Sequence, residues 1–517
     1  VNEITKQFKN QLPKNALMAS LSFVTYSLSV IWLTPYLFKH LGAAAYGMVP
    51  LAGLFTQYAS IITAQLSVAV NRFLILELNK TDGHPNAIFN TALALYLILI
   101  FIQVPVFSVG LIYVDRIFSI PAELKTDALL LIGCSSGSFL FSLLSGVFGV
   151  APLAKNRIDI SSSIELGRQI TRLVLIVFCF LFLGPHLRYI GFVDLGLQVL
   201  VTLLLMRVCR KLCPDLSVDL KLVKWRILGP IFQMSFWTLF NSLGVLLFLR
   251  TDIWIINRFI SPVAAGQYAA VLMVVNFIRQ VAGVGSRQIE PVVMMFWAKG
   301  ERGELKKFLL LSTKIFALFA TLLVSILCVF GKDVLSLWMN ESFSQHAPLL
   351  VVMVFHMIVN VAVYPLGQLP VVTNSLRWPV RVKFFLGCVN AAGSYILGVQ
   401  YGMGMFGVAI ATAITLTIDS LFTSAYASRI LGAEGAGFLK PMLVYLCVET
   451  MLWVITRPPG LFAFLGVQSD DVWQCLSVLV SLILFVLITG WFLYFNPQER
   501  GIIARYFSLK IKGIVRR

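Results

Sequence analysis

The 517-residue chain predicts an all-α polytopic membrane protein: about fourteen transmembrane helices in two six-helix lobes made by an internal repeat, plus two C-terminal helices. Three observations predict it. Hydrophobic residues make up 58% of the chain and charged residues only 12%, at a mean hydropathy of +0.87; a soluble domain carries roughly 25% charged residues. Apolar runs of about 20 residues recur from Ala16 to Phe495, each long enough to cross roughly 30 Å of hydrocarbon as a helix. Lone strands leave their backbone groups unsatisfied in lipid, so these runs are helices. The third observation is a duplicated motif, described below.

Taken in order, the spans fall at 16 to 38, 47 to 71, 88 to 113, 128 to 151, 162 to 183, 189 to 207, 227 to 249, 265 to 296, 307 to 330, 346 to 373, 384 to 400, 404 to 427, 438 to 456 and 472 to 495. Lys6, Lys9 and Lys14 precede the first. That run is of full spanning length and lacks a small-residue cleavage site, so it reads as a span and not as a removed signal peptide. Lys and Arg then separate by side, with about 28 in the N-terminus, the even-numbered loops and the tail, against about 8 in the odd-numbered loops. By the positive-inside rule, both termini are cytoplasmic. The net charge of +18 is spread over these short loops, which is a demand of topology and not a nucleic-acid patch.

Several function classes are excluded. No loop exceeds roughly 20 residues or shows the periodicity of an added domain. Of eight cysteines only Cys209 and Cys213 lie close together, without a second pair or a histidine, so buried thiols are expected and no metal site or disulfide framework. Gly331 and Lys332 lack the rest of a phosphate-binding loop, which argues against direct ATP coupling.

Sliding the chain by the distance from Gly149 to Gly367 places GVAPLAKN (Gly149, Pro152, Asn156) on GQLPVVTN (Gly367, Pro370, Asn374). Similar shifts pair Gly42 to Gly47 with Ala264 to Tyr268, and YIGFVDLG near Gly191 with MFGVAIAT near Gly407. Six spans therefore occur twice, both copies entering from the cytoplasm. The domains are an N-terminal lobe at 1–226, a C-terminal lobe at 227–431, and two further helices with a basic cytoplasmic tail at 432–517.

Charges inside the spans mark candidate sites, because an arginine at mid-bilayer costs roughly 2.5–3.5 kcal/mol on insertion scales. Arg279 lies about 17 Å into the eighth span at the helical rise of about 1.5 Å per residue, and Arg287 follows on a neighbouring face. Arg168 and Arg172 sit at i and i+4 in the fifth span with Glu165 one turn before them, and Lys314 lies in the ninth. Under the repeat, Arg279 and Arg287 align with Gln57 and Gln65 of the second span, so a polar stripe is expected on a central cavity. Arg287 with Glu290, and Arg168 with Glu165, are alternatively fixed internal pairs. Arg250 and Asp252 read as a local pair or gate. Asp419, Glu290 and Glu449 are carboxylates that a proton or sodium ion could neutralise; no other cofactor, and no metal, is called for. Gly229 and Pro230, Gly283 and Gly285, and Pro365, Gly367 and Pro370 are places to bend.

The first span ending TPYLFKHLGAAAYG, the passage holding Asp252, Gly266 and Tyr268, and the twelfth span GVAIATAITL resemble the polysaccharide flippases (Wzx-type, for O-antigen or exopolysaccharide) of the MATE-like multidrug/oligosaccharidyl-lipid/polysaccharide superfamily. The resemblance covers nearly the whole chain with loose motifs. It implies two six-helix lobes around a cavity that opens alternately to each side of the bacterial inner membrane. The cargo it implies is an undecaprenyl-pyrophosphate-linked oligosaccharide, with membrane lipids and the polymerase and chain-length proteins of the same pathway as partners, no nucleic acid and no enzymatic activity. Relatives that move peptidoglycan precursors carry arginines in the first two spans; here the first has none and the second only Arg72, at its end. On this reading Arg279, Arg287, Arg172, Arg168 and Lys314 make a cationic cavity whose planar guanidinium forks suit phosphate oxygens. A cation-coupled multidrug exporter of the same fold is the second reading, distinguished by an acidic cavity. A membrane glycosyltransferase or polymerase is the third, distinguished by a large extracytoplasmic loop or paired carboxylates.

Overall fold

Helix accounts for every long regular element of the computed structural model, which describes residues 2–78, 84–225, 228–287, 289–373, 375–432, 438, 444–445, 447, 472–497 and 499–501; no strand occurs among these residues. Nine helices among the described residues are long and apolar enough to cross a membrane, or ten if the bent pair Leu239–Leu249 and Thr251–Ile260 counts as one span. This is a multi-pass membrane protein. Its outer surface shows the same thing residue by residue, with Phe101 80%, Phe182 71% and Leu337 88% exposed, as side chains in contact with lipid tails are. The expected thirteenth span lies almost wholly outside the described residues.

By internal packing the chain divides into Val1–Ala269 and Ala270–Arg517, a criterion different from the repeat that sets the expected lobes. The first unit holds α1 (Asn2–Leu41), α2 (Ala43–Leu78), α3 (Pro85–Ile112), α4 (Lys125–Phe148), α5 (Ile158–Phe182), α6 (Leu187–Leu212) and α7 (Leu228–Leu249). Helix α4 lies along α6, α1 along α5, and α2 between α4 and α7. Lipid tails are as apolar as leucine, so close backbone approach and dispersion, not water exclusion, hold such helices together. Gly191 of α6 illustrates it: a Cβ there would stand 3.0 Å from Cys134 Cβ and 3.1 Å from Leu131 Cα of α4. Away from that contact, Leu66, Val70, Leu74, Phe89, Tyr96, Val147 and Phe148 form a buried cluster joining α2, α3 and α4.

Helix α5 is of spanning length and carries Asp159, Glu165, Arg168 and Arg172. At the loop after α6, Asn86 and Asn90 of α3 exchange hydrogen bonds with the backbone of residues 215, 217 and 219. That basic segment is therefore held in place by amide side chains.

The passage between the expected seventh and eighth spans is helical. The chain continues as Thr251–Ile255 and a π-helical turn, Ile256–Ile260, bent by 47° from α7. Only then does extended Ser261 (φ −166°) end it. Trp254 Nε1 donates to Ile117 O at 2.9 Å, and Asn257 exchanges two hydrogen bonds with the backbone of Ser119. Helix α8 (Pro262–Arg287) then begins against α2, the two meeting at Gly47 and Gly266.

The second unit contains most of α8, α9 (Arg302–Trp338), α10 (Ala347–Phe355), α11 (Arg377–Tyr395), α12 (Gly404–Ile430) and α13 (Val472–Tyr494), the last being the expected fourteenth span. Two expected single helices are broken. The eighth span stops at Arg287 and restarts as Glu290–Ala298, with Pro291 in the first turn of the new piece, where a missing N–H costs nothing. The tenth span becomes Ala347–Phe355, Met357–Ala362, the 3₁₀ turn Tyr364–Gln368 and Leu369–Val372. Pro365 and Pro370 each remove a backbone donor, and so the ladder cannot run through.

Inside each unit the duplicated motif folds alike. Lys155 N donates to Ala151 O (3.1 Å) and Arg157 N to Pro152 O (2.7 Å); Thr373 N donates to Leu369 O (2.9 Å) and Ser375 N to Pro370 O (2.9 Å). These are the same bonds at the same offset in sequence. Tyr46 and Tyr268, the other aligned pair, are 2% and 1% exposed.

Candidate substrate cavity

Among the described residues, the first unit holds a half-open cavity of about 540 Å³. Five helices contribute: α1 gives Tyr26 and Ser29, α2 gives Thr56 and Gln57, α4 gives Ser135, Ser138, Phe139 and Ser142, α5 gives Arg168, Gln169 and Arg172, and α6 gives Asp194 and Gln198. Polar residues at helical spacing put these groups on the inner stripe of each helix. The volume lies within the range of roughly 300–1,000 Å³ typical of small-molecule sites.

Each arginine of this cavity is paired with a carboxylate. Arg172 grips Asp194 with a two-pronged fork, Nε on Oδ1 and Nη2 on Oδ2, the latter at 3.0 Å. Arg168 holds Glu165 the same way, at 2.8 and 2.6 Å, and Gln169 Nε2 adds a third hydrogen bond to that carboxylate at 2.8 Å. The side chains of Arg172 and Asp194 are each 27% exposed, enough to reach the cavity and too little for water to dissolve the pair. Arg168 with Glu165 is the internal pair given above as the alternative reading, and Arg172 with Asp194 is a second. Interhelical polar contacts in membrane proteins average only about 0.6 kcal/mol, with a maximum of about 1.7. These pairs fix the position of the guanidinium planes more than they hold helices together.

The predicted residues divide. Gln57, Arg168 and Arg172 come together in this cavity, whereas Gln65 carries a side chain outside the description. Arg279, Arg287 and Lys314 belong to the second unit. Arg279 Nη2 meets His356 Nε2 at 3.1 Å; His356, only 3% exposed, occupies the break between α10 and Met357–Ala362. Arg287 is exposed at the end of α8, and no ion pair joins it to half-buried Glu290 among the described residues. Lys314 is 8% exposed, with its ammonium on both oxygens of Glu499 at 2.7 and 2.6 Å. It is tied to the segment after α13. Asp419, 7% exposed, stands 3.8 Å from Lys383 Nζ, an internal cation that the coupling-ion reading did not include. Asp252 is buried and accepts a hydrogen bond from Tyr268 at 3.0 Å, while Arg250 stands half-buried just before the short helix carrying it. Glu449 lies outside the described residues.

Sequence reasoning missed Asp194, Gln169, Gln198 and the serines of α4, and it missed His356. A signal for Asp194 was available. The turn between Phe182 and Leu187 folds α5 back on α6, and counting outward from it brings Arg172 and Asp194 to within a helical turn of the same depth. The serines carried no such signal, being common in membrane helices.

Solved structures give the particular fold. The chain superposes on "Lipid II flippase MurJ, inward closed conformation" with a TM-score of 0.68 at 14% identity, covering 92% of this chain and 98% of that one. It superposes on an inward-facing multidrug resistance MATE family transporter of the MOP superfamily with a TM-score of 0.63 at 16% identity, covering 80% and 95%. The fold is therefore MurJ/MATE-like. In sequence the chain is 28% identical over 502 residues to the uncharacterized membrane protein EpsK of Bacillus subtilis (strain 168), covering 96% of this chain and 98% of that protein. No family model matches the chain.

Proposed function

We propose that the protein is a flippase that moves a polyprenyl-pyrophosphate-linked oligosaccharide, of the O-antigen or exopolysaccharide kind, from the cytoplasmic to the outer leaflet of a bacterial inner membrane by alternating access. The observation that carries this reading is a cavity of about 540 Å³ lined by amides, hydroxyls and paired charges inside a bundle whose outer face is apolar. A polar headgroup can leave water there while its polyprenyl tail stays in lipid. The likeness to a flippase structure supports it. No bond is made or broken, so the chain acts as a carrier and not as an enzyme. Arg279 and Arg287 are proposed phosphate contacts of the second unit, since a guanidinium stays charged throughout the passage.

The test is translocation of a labelled polyprenyl-pyrophosphate oligosaccharide in proteoliposomes, with export of surface polymer in cells beside it. Arg279→Ala is expected to abolish both at normal membrane levels of the protein. Wild-type levels of polymer in that variant would sink the role of Arg279, and no translocation by the wild type would sink the flippase. The MATE-like neighbour favours a second reading, a cation-coupled drug exporter; efflux of ethidium from loaded cells, abolished by Asp419→Asn, would support that reading instead.

A further inference from the structure

The two arginines of the first unit's cavity are each held by a carboxylate, but the two carboxylates stand in different places. Arg168, Arg172 and Asp194 line the cavity, whereas Glu165 does not. Glu165 therefore holds Arg168 from outside the space that a ligand enters. Asp194 grips Arg172 from within it, both side chains being 27% exposed. A guanidinium has five N–H donors. The fork to Asp194 uses one on Nε and one on Nη2, so three of Arg172 are left for a ligand. Arg168 keeps three as well, after its Nε and Nη2 have met Glu165. With two cations and one anion among the described residues that line it, the cavity wall has a net charge of +1 and attracts anionic groups.

Asp194 sets a limit on that attraction. A pyrophosphate oxygen that takes the free edge of Arg172 comes to lie beside a carboxylate bonded to the same guanidinium, and like charges so close repel. An oxygen that takes the Nε edge has to displace Asp194. In either case the cargo's anion competes with one that belongs to the chain. A carrier needs such a limit, because a site on a transport path has to bind weakly enough for its cargo to leave. Glu165 shows that an arginine of this helix is fixed equally well without a carboxylate in the cavity.

We propose that Asp194 is a built-in competing anion that limits the hold of Arg172 on the cargo's pyrophosphate. The proposal rests on the flippase reading and adds to it the residue that lets the cargo go.

The test measures binding of inorganic pyrophosphate to the purified full chain by isothermal titration calorimetry, beside translocation of the labelled polyprenyl-pyrophosphate oligosaccharide in proteoliposomes. Asp194→Asn keeps an oxygen for Arg172 and removes the charge. It is expected to bind pyrophosphate about tenfold more tightly, within the range of coupling between contacting groups, and to translocate at a maximal rate about tenfold lower. Asp194→Glu, which keeps the charge, is expected to show no such gain. Glu165→Gln is expected to tighten binding by about twofold at most, its carboxylate being more exposed to solvent. Adding Arg172→Ala to Asp194→Asn is expected to abolish the gain. If Asp194→Asn folds poorly, Asp194→Ser removes the same charge with a smaller side chain. A purely structural Asp194 would give weaker binding and slower transport together. That result, unchanged binding, no pyrophosphate binding by either form, an equal gain from Glu165→Gln, or tighter binding at an undiminished rate overturns the proposal. Translocation by the wild type with no gain in the variant refutes the competing anion and leaves the flippase standing; the gain in binding without translocation by the wild type supports the competing anion and removes the flippase reading.

Discussion

Arg172 has its counter-charge built in, and that changes what a substitution there would report. Removing one partner of a buried pair leaves the other charge uncompensated, whereas removing both leaves a neutral site. Arg172→Ala and Asp194→Asn are each expected to lower the melting temperature of the purified protein, and the double variant to lower it by less than the sum. The coupling expected for contacting residues is about 0.5–3 kcal/mol; additive losses would show that the pair is not formed in solution. His356 invites a similar reading in the second unit. Its Nε2 meets an Arg279 nitrogen at 3.1 Å, and a guanidinium only donates, so the ring is neutral there, with its proton on Nδ1. Replacement by Gln keeps an oxygen acceptor for Arg279. We expect His356→Gln to retain translocation and His356→Phe to lose about tenfold, equivalent to about 1.4 kcal/mol of positioning; equal losses would make His356 a packing residue.

Helices were legible where their apolar runs were long, and their interruptions were legible only as places where a bend is allowed. Pro365 and Pro370 were recognisable as weak points of the tenth span, yet nothing in composition says that four short helical pieces would replace one. The 47° bend after α7 was invisible for another reason: it is held by Trp254 and Asn257 on the backbone of residues 117 and 119, more than a hundred residues away in sequence. The small-residue contact between α2 and α8 was visible as the aligned motifs GAAAYG and AAGQY, though its function was not. A Cβ on Gly266 would fall 1.9 Å from Ala43 O, which is backbone and cannot swing aside, whereas a Cβ on Gly283 of the same helix meets nothing within 4 Å. Gly266→Ala is accordingly expected to cost at least the roughly 1–3 kcal/mol of an overpacked core, seen as poor membrane accumulation or early thermal unfolding. Gly283→Ala should be neutral or slightly stabilising through helix propensity; equal behaviour of the two would mean that α2 and α8 do not meet this closely.

At the scale of the molecule, the candidate site was half legible. Arg168 and Arg172 stood out because charge is rare in apolar runs, and the repeat drew Gln57 into the same argument. Their pairing was legible only in part: Glu165 stands one turn before Arg168 in the same helix, whereas Asp194 lies in the next helix and only the fold shows the two ends of that pair meeting. The same charge logic applied to the loops makes a prediction about the whole chain. About 28 basic residues against about 8 place the loop after α6 in the cytoplasm and the turn after α3 on the opposite side. Val218 and Tyr113 are exposed at those two places, 59% and 48% respectively. In cells with a permeabilised outer barrier, a membrane-impermeant maleimide is expected to label Tyr113→Cys and to spare Val218→Cys until the inner membrane is broken. Labelling in the reverse order would invert the protein. The basic loops would then face outward against the membrane potential, worth about 2.3 kcal/mol per charge per 100 mV, and cargo entering from the cytoplasm would meet the opposite end of the bundle from the one proposed.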